Sequence, residues 1–143
     1  MPLAKACCYP ELIAGLGRDP AAIDFLCGYA RPTAIVSTKK QILQKARACG
    51  LITIFQIFMI DTQAFETGIQ TARRLDCDAV EIMPGAIPHI IREVSSQLPL
   101  PVLCAGLVKT EAEIHEVLKA GAQAVATSRR PLWFASSLRE VAA

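Results

Sequence analysis

Aromatic residues are scarce in this chain, 6% of the total, so a surface that grips nucleic-acid bases by stacking would have few side chains to use. Histidine is scarcer still. His89 and His115 are the only two; both fall in stretches of helical periodicity, with no H-E-x-x-H pattern and no matched cysteines, so neither a metal site nor a Ser-His-Asp arrangement is expected. An excess of one charge is also missing. Fifteen Lys and Arg face 13 Asp and Glu, which leaves +2, and composition alone announces neither a polyanionic nor a membrane partner. No stretch approaches the roughly 18 continuous apolar residues of a membrane span, and residues 1–8 show no basic start with an apolar run behind it, so no signal peptide is read. The six cysteines, Cys7, Cys8, Cys27, Cys49, Cys77 and Cys104, lack C-x-x-C spacing and read as reduced packing residues of a cytoplasmic protein.

What is present is apolar and regularly spaced. Hydrophobic residues make up 52% of the 143, enough for one well-filled core, and nothing resembling a linker divides the chain, so residues 1–143 read as a single domain. Short β-branched runs at 34–37, 52–58, 79–83, 101–104 and 124–127 alternate with amphipathic segments. Their starts are 18, 27, 22 and 23 residues apart, about the length of a strand, a helix and two short loops, and the runs are apolar throughout, as in a parallel sheet covered by helices. Asp19-Pro20 and the capping box Thr110-Glu111-Ala112-Glu113 mark helix starts. Gly50 and Gly121 mark helix ends. Five clear strands and a degraded sixth within 7–12 fall short of the eight or so that close a barrel. Two architectures are open: a doubly wound sheet that is complete with five strands, or a (β/α) TIM-barrel-like fold that is incomplete and lacks its N-terminal strand-helix units.

Either architecture places ligands at the strand C-termini. The residues there are Ser37-Thr38-Lys39, Asp61-Thr62, Met83-Pro84-Gly85, Cys104-Ala105-Gly106-Leu107 and Thr127-Ser128-Arg129. The last two loops point to phosphate: Gly106 lets backbone approach an anion, and Thr127 and Ser128 place hydroxyls beside N–H groups opening the last helical segment. Each loop alone is also explained as a tight turn or cap. Glu81 interrupts the apolar run of 79–83, facing away from Val80 and Ile82, as a ligand for a hydroxyl, a base, or one half of an internal ion pair with a Lys. Asp61 reads better as an N-cap than as a site residue. Lys39, Lys40, Lys45 and Arg47, with Arg129 and Arg130, form a basic cluster that could meet RNA phosphates, although such charges are more often an ordinary solvated helix face.

The ordered set Ile35-Val36-Ser37-Thr38-Lys39, Phe58-Met59-Ile60-Asp61, Ala79-Val80-Glu81-Ile82-Met83-Pro84-Gly85, Ala105-Gly106-Leu107, Ala124-Val125-Ala126-Thr127-Ser128 and Leu132-Trp133 resembles one family, the glycerol-uptake operon antiterminators that respond to glycerol 3-phosphate. The resemblance runs from about Leu12 to Trp133. It implies a compact or incomplete (β/α) barrel that takes glycerol 3-phosphate as effector and the leader mRNA of a glycerol operon as partner. The implied protein is a cytoplasmic regulator of transcription without turnover, cofactor, metal or membrane partner, and self-association is left open. Carried over, Gly106, Leu107, Thr127 and Ser128 would cradle the phosphate, Glu81 and Gly85 would neighbour the glycerol hydroxyls, and Lys39, Arg129 and Arg130 are the candidates for RNA. The family pattern differs from this chain at three places: His and Asp are usual near Tyr9 and Glu11, Gln-Arg where it has Phe55-Gln56, and Gly-Gly where it has Ala105-Gly106. Two other readings stay open, a barrel enzyme acting on a small sugar phosphate and an N-terminally truncated copy without function.

Overall fold

Residues 6–135 are described in a computed structural model, and the runs singled out above form its sheet. The strands are β1 (Cys7–Cys8), β2 (Ala34–Ser37), β3 (Ile52–Phe58), β4 (Ala79–Met83), β5 (Val102–Ala105) and β6 (Ala124–Ala126). All pair in parallel, and their order in the sheet is their order in the chain. A doubly wound sheet reverses its order at a switch point; this one never does. The six strands therefore make a TIM-barrel-like half-barrel, and the five-stranded alternative is set aside.

Helices α1 (Pro20–Phe25), α2 (Lys40–Ala48), α3 (Thr62–Arg74), α4 (Pro88–Gln97) and α5 (Glu111–Lys119) connect successive strands. Their starts follow from local chemistry. Ala22 N donates to Asp19 Oδ1 at 3.1 Å and Ala64 N to Asp61 Oδ1 at 2.7 Å, each satisfying an orphan N–H of a first turn. Glu113 N donates to Thr110 Oγ1 while Glu113 Oε2 accepts from Thr110 N, the reciprocal capping box. After α1 the chain widens into a π-turn at Leu26–Ala30 and leaves it through Arg31 at φ 47°, a feature without a sequence signal. No helix among the described residues is long and apolar enough to cross a membrane.

Two apolar layers hold the half-barrel. The larger lies between sheet and helices: Ile35, Phe55, Ile57, Val80, Ile82 and Cys104 meet Leu43, Ile69, Ile91, Val94 and Val117, and burying each large side chain stabilises by about 1.5–3 kcal/mol. Helix α3 comes close because Gly68 has no side chain; a Cβ there would sit 2.4 Å from Ile57 Cγ2. The smaller layer lines the concave face with Ala34, Val36, Ile54 and Ala79, against Tyr9 and Leu103. Three strand ends differ from the sequence reading, β5 running on past Cys104 to Ala105. Pro101 has no N–H for the ladder, yet its carbonyl accepts from Val80 N at 3.0 Å, so β5 begins at Val102. Strand β6 stops at Ala126, after which Thr127 binds across to Val108 O through its hydroxyl.

Candidate functional site

Alternation along the strands turns Glu81, Gln56 and Tyr9 to the concave face. There they form a closed set. Tyr9 Oη donates to Glu81 Oε1 at 2.6 Å and Gln56 Nε2 donates to Glu81 Oε2 at 2.7 Å, and Glu81 is 1% exposed. A buried carboxylate needs compensation. Among the described residues it receives none from a cation: the ion pairs are Lys45–Asp24, Arg47–Asp76 and Arg47–Asp78. The internal Lys partner considered from sequence is replaced by two neutral donors. Burial and the bond to Glu81 push the Tyr9 phenol well above its ordinary value. Burial, and then the charge of Glu81, push the Cys104 thiol up to about 12 and raise Cys7 in the same direction.

Above this set, at the C-terminal ends of β4, β5 and β6, lies a cleft of about 290 Å³ walled by Tyr9, Met83, the 105–108 turn and residues 126–128. It is at the small end of ligand clefts. The turn is made by Gly106 at φ 80° followed by Leu107 at φ 62°, two successive left-handed residues that fold the backbone around the mouth. Leu107 is 66% exposed. Thr127 uses its hydroxyl within the protein, donating to Val108 O at 3.1 Å and accepting from Arg129 N at 3.2 Å. Trp133 Nε1 donates to Thr127 O at 2.7 Å and ties the closing 3-10 turn, Arg130–Phe134, to the same strand end. Leu107 and Ser128, by contrast, make no hydrogen bond among the described residues. Their N–H groups and the Ser128 hydroxyl are donors of the cleft wall left unspent among the described residues.

The structure thus brings Gly106, Leu107, Thr127 and Ser128 together, with Arg129 and Arg130 next along the chain. It places Glu81 behind Tyr9 rather than on the wall. Gly85 stands where a side chain cannot: a Cβ would lie 2.7 Å from Ala105 N and 3.0 Å from Ala105 O, and Gly85 N donates to Gly106 O at 2.9 Å. It fixes the spacing of the β4 and β5 loops through backbone. Lys39 lies at the other side of the half-barrel, where its ammonium donates to Arg18 O at 3.2 Å. Tyr9 was not singled out as a site residue from sequence; only its place opposite a family histidine marked it. Ser37 hydrogen-bonds Glu11, which holds the segment after β1 over the strand ends. Among the described residues no group of three His, Cys, Asp or Glu side chains is placed to hold a metal ion.

Comparison with known proteins gives concordant results. A family model described as glycerol-3-phosphate responsive antiterminator matches residues 5–133. The crystal structure of a glycerol uptake operon antiterminator regulatory protein from Listeria monocytogenes superposes with a TM-score of 0.82 at 35% identity, covering 87% of this chain and 68% of that one. A glycerol uptake operon antiterminator-related protein from Thermotoga maritima gives 0.79 at 33%, covering 90% and 73%. Among curated sequences, the uncharacterized protein YgcP of Escherichia coli K12 is 28% identical over 123 residues, 86% of this chain; the chain spans 64% of the length of YgcP. Orotidine 5′-phosphate decarboxylase from Pyrococcus horikoshii, at 18% identity and a TM-score of 0.63, shares the fold.

Proposed function

We propose, because this chain belongs to the glycerol-3-phosphate responsive antiterminator family, that it binds glycerol 3-phosphate in the cleft between the β5 and β6 ends and acts as a ligand-responsive regulator of glycerol genes through their leader RNA. The observation that carries the reading is the pair of unpartnered donors at Leu107 and Ser128 on the wall of a cleft small enough for a three-carbon phosphate. Backbone N–H groups in a left-handed turn and at a strand end are a recurrent way to hold a phosphate in this fold. In this reading Gly106 and Leu107 shape one side of the anion site and Ser128 donates from the other. Thr127 holds the loop through its bonds to Val108 and Arg129. Gly85 keeps the neighbouring loop in place, and Glu81 acts on the glycerol end through Tyr9.

Binding without turnover suits the composition of the wall, whose one ionisable side chain is Tyr9, a phenol held protonated by burial and by Glu81. An acid or base poised at the phosphate would favour the barrel-enzyme reading. RNA contact is assigned to Arg129 and Arg130, exposed beside Ser128, with Lys39 as a further candidate. Continuity of the phosphate loop with the two arginines offers a short path from ligand to RNA.

Thermal unfolding with and without ligand tests the first claim. Glycerol 3-phosphate at about 100 times its Kd should add about 2.7 kcal/mol of stability; no change in Tm at millimolar ligand would sink the sensor reading. Leader-RNA binding that weakens with salt, and weakens further in Arg129→Glu/Arg130→Glu, supports the second. Unchanged affinity in that variant moves the RNA surface elsewhere.

A further inference from the structure

The phenol of Tyr9 has one proton, and it is spent on Glu81 Oε1 at 2.6 Å. Towards the cleft that Tyr9 lines, the phenolic oxygen has only lone pairs left to offer. Behind it stands a carboxylate that is 1% exposed and met by two neutral donors and no cation among the described residues. Neutral donors orient a carboxylate without cancelling its charge, and in a poorly solvated interior that charge acts over several ångströms. Burial first, and the charge of Glu81 second, raise the neighbouring Cys104 and Cys7 thiols. The cleft lining therefore holds polar groups of opposite sense. Among the described residues the donors of Leu107 and Ser128 in its lining are unpartnered, and Tyr9 in the same lining carries an acceptor backed by negative charge.

We propose that Tyr9, positioned by Glu81 and Gln56, sets the charge selectivity of the cleft: it admits a phosphate monoester whose far end is a neutral, hydroxyl-bearing carbon and turns away one that carries a carboxylate or second phosphate there. A hydroxyl can donate to the phenolic oxygen. A carboxylate or phosphate oxygen at the same place brings an acceptor against an acceptor and a negative charge against a negative charge, and like-charge contact of this kind is a common source of discrimination. Tyr9 is the group that would touch the ligand; Glu81 and Gln56 act through it. The inference rests on the phosphate reading of the same cleft, and the experiment separates the two.

Isothermal titration of the purified chain with glycerol 3-phosphate, inorganic phosphate and 3-phosphoglycerate provides the test. The expected result is that glycerol 3-phosphate binds at least about tenfold more tightly than 3-phosphoglycerate, whose carboxylate replaces the hydroxymethyl end. Glu81→Gln keeps the shape and lets the Gln56 amide turn to preserve its contact, so the preference should shrink several-fold while inorganic phosphate affinity holds. Tyr9→Phe, with folding checked by circular dichroism, should weaken glycerol 3-phosphate selectively and leave inorganic phosphate unchanged. Equal affinity of the wild type for the two organic phosphates overturns the selectivity and leaves the phosphate reading standing. So does a preference that both variants leave intact. No binding of any of the three overturns the phosphate reading and this inference with it.

Discussion

The two ends of the half-barrel treat their polar groups in opposite ways. At the N-terminal ends of the strands, Asp78 Oδ2 accepts from the fully buried Thr53 through both N (2.8 Å) and Oγ1 (2.9 Å), Asp78 Oδ1 accepts from Arg47 Nη1, and Arg47 Nε reaches Asp76 at 2.8 Å. Both polar groups of Thr53 have an acceptor there, and Arg47 is paired with two carboxylates. At the C-terminal ends Glu81 is similarly satisfied, but one layer further out Leu107 and Ser128 keep donors that no group among the described residues takes. A network that ties α2 to the starts of β3 and β4 holds the fold together; donors left open at a concave surface give a ligand something to bind. The division matches the general behaviour of parallel barrels, whose strand C-termini bind and whose opposite ends hold the fold together.

Breaking the inner set should have the largest effect. Glu81→Ala leaves Tyr9 Oη and Gln56 Nε2 without their acceptor and opens a void in a buried place. The expected cost is about 2–4 kcal/mol, a fall in Tm on the order of 10 °C for a chain of this size, together with loss of the ligand-induced shift. Asp78→Ala should cost about 1–3 kcal/mol, because the Thr53 N–H and hydroxyl lose their acceptor. Its glycerol 3-phosphate shift should equal that of the wild type. Paired melting curves for the two variants, each with and without ligand, check both statements, and a lost shift in Asp78→Ala would erase the contrast between the ends.

How far this contrast was legible in the sequence depends on range. β2, β3 and β4 are runs of branched residues, and their limits are those read from the chain. The caps at Asp19, Asp61 and Thr110 are local chemistry and were equally plain. β1 is faint because two residues pair and Pro10 follows at once. Gly106, Thr127 and Ser128 were legible as strand-end residues of consecutive units. The Tyr9–Glu81 bond spans 72 residues, and no periodicity reports a contact of that separation. Two places where the chain differs from its family pattern, Tyr9 and Gln56, converge on the single carboxylate of Glu81. Gly85 was implied as a neighbour of the glycerol hydroxyls; the backbone of Ala105, against which a Cβ would clash, shows a residue chosen for absence of bulk.

The two ends should also fail at opposite extremes of pH. Burial works to raise the Asp78 carboxyl, but the Thr53 hydrogen bonds and the Arg47 guanidinium outweigh it and hold the group below its ordinary value. A depressed folded value means a contribution fully present above about pH 4 and lost as pH falls further. Tyr9 is shifted the other way, by burial first and the bond to Glu81 next. A raised folded value means a contribution present below about pH 10 and lost as pH climbs through the folded value. Melting curves from pH 2 to 11 should therefore show a shallower acid limb in Asp78→Asn and a shallower alkaline limb in Tyr9→Phe. Because Asp78 and Arg47 are each 43% exposed, salt should reduce the acid effect. Swapped limbs would refute the assignment of the two networks.

The smallest change in stability should accompany the sharpest change in binding. Ser128 makes no hydrogen bond among the described residues and is exposed, so Ser128→Ala removes nothing that holds the fold and should move the melting temperature of the free protein by no more than about 0.5 kcal/mol equivalent. The same hydroxyl, without a partner among the described residues, lies in the wall proposed to hold the phosphate. Losing one charge-assisted hydrogen bond costs about 1.5–3 kcal/mol, so glycerol 3-phosphate affinity should fall roughly 10- to 100-fold, and inorganic phosphate affinity should fall with it. Thr127→Ala should behave differently although it is the adjacent residue. Its hydroxyl bridges Val108 O and Arg129 N, so the free protein should lose measurable stability before any ligand is added. If Ser128→Ala destabilised the free protein as much as Thr127→Ala, Ser128 would be part of the scaffold, and the phosphate would have to be held elsewhere on the rim.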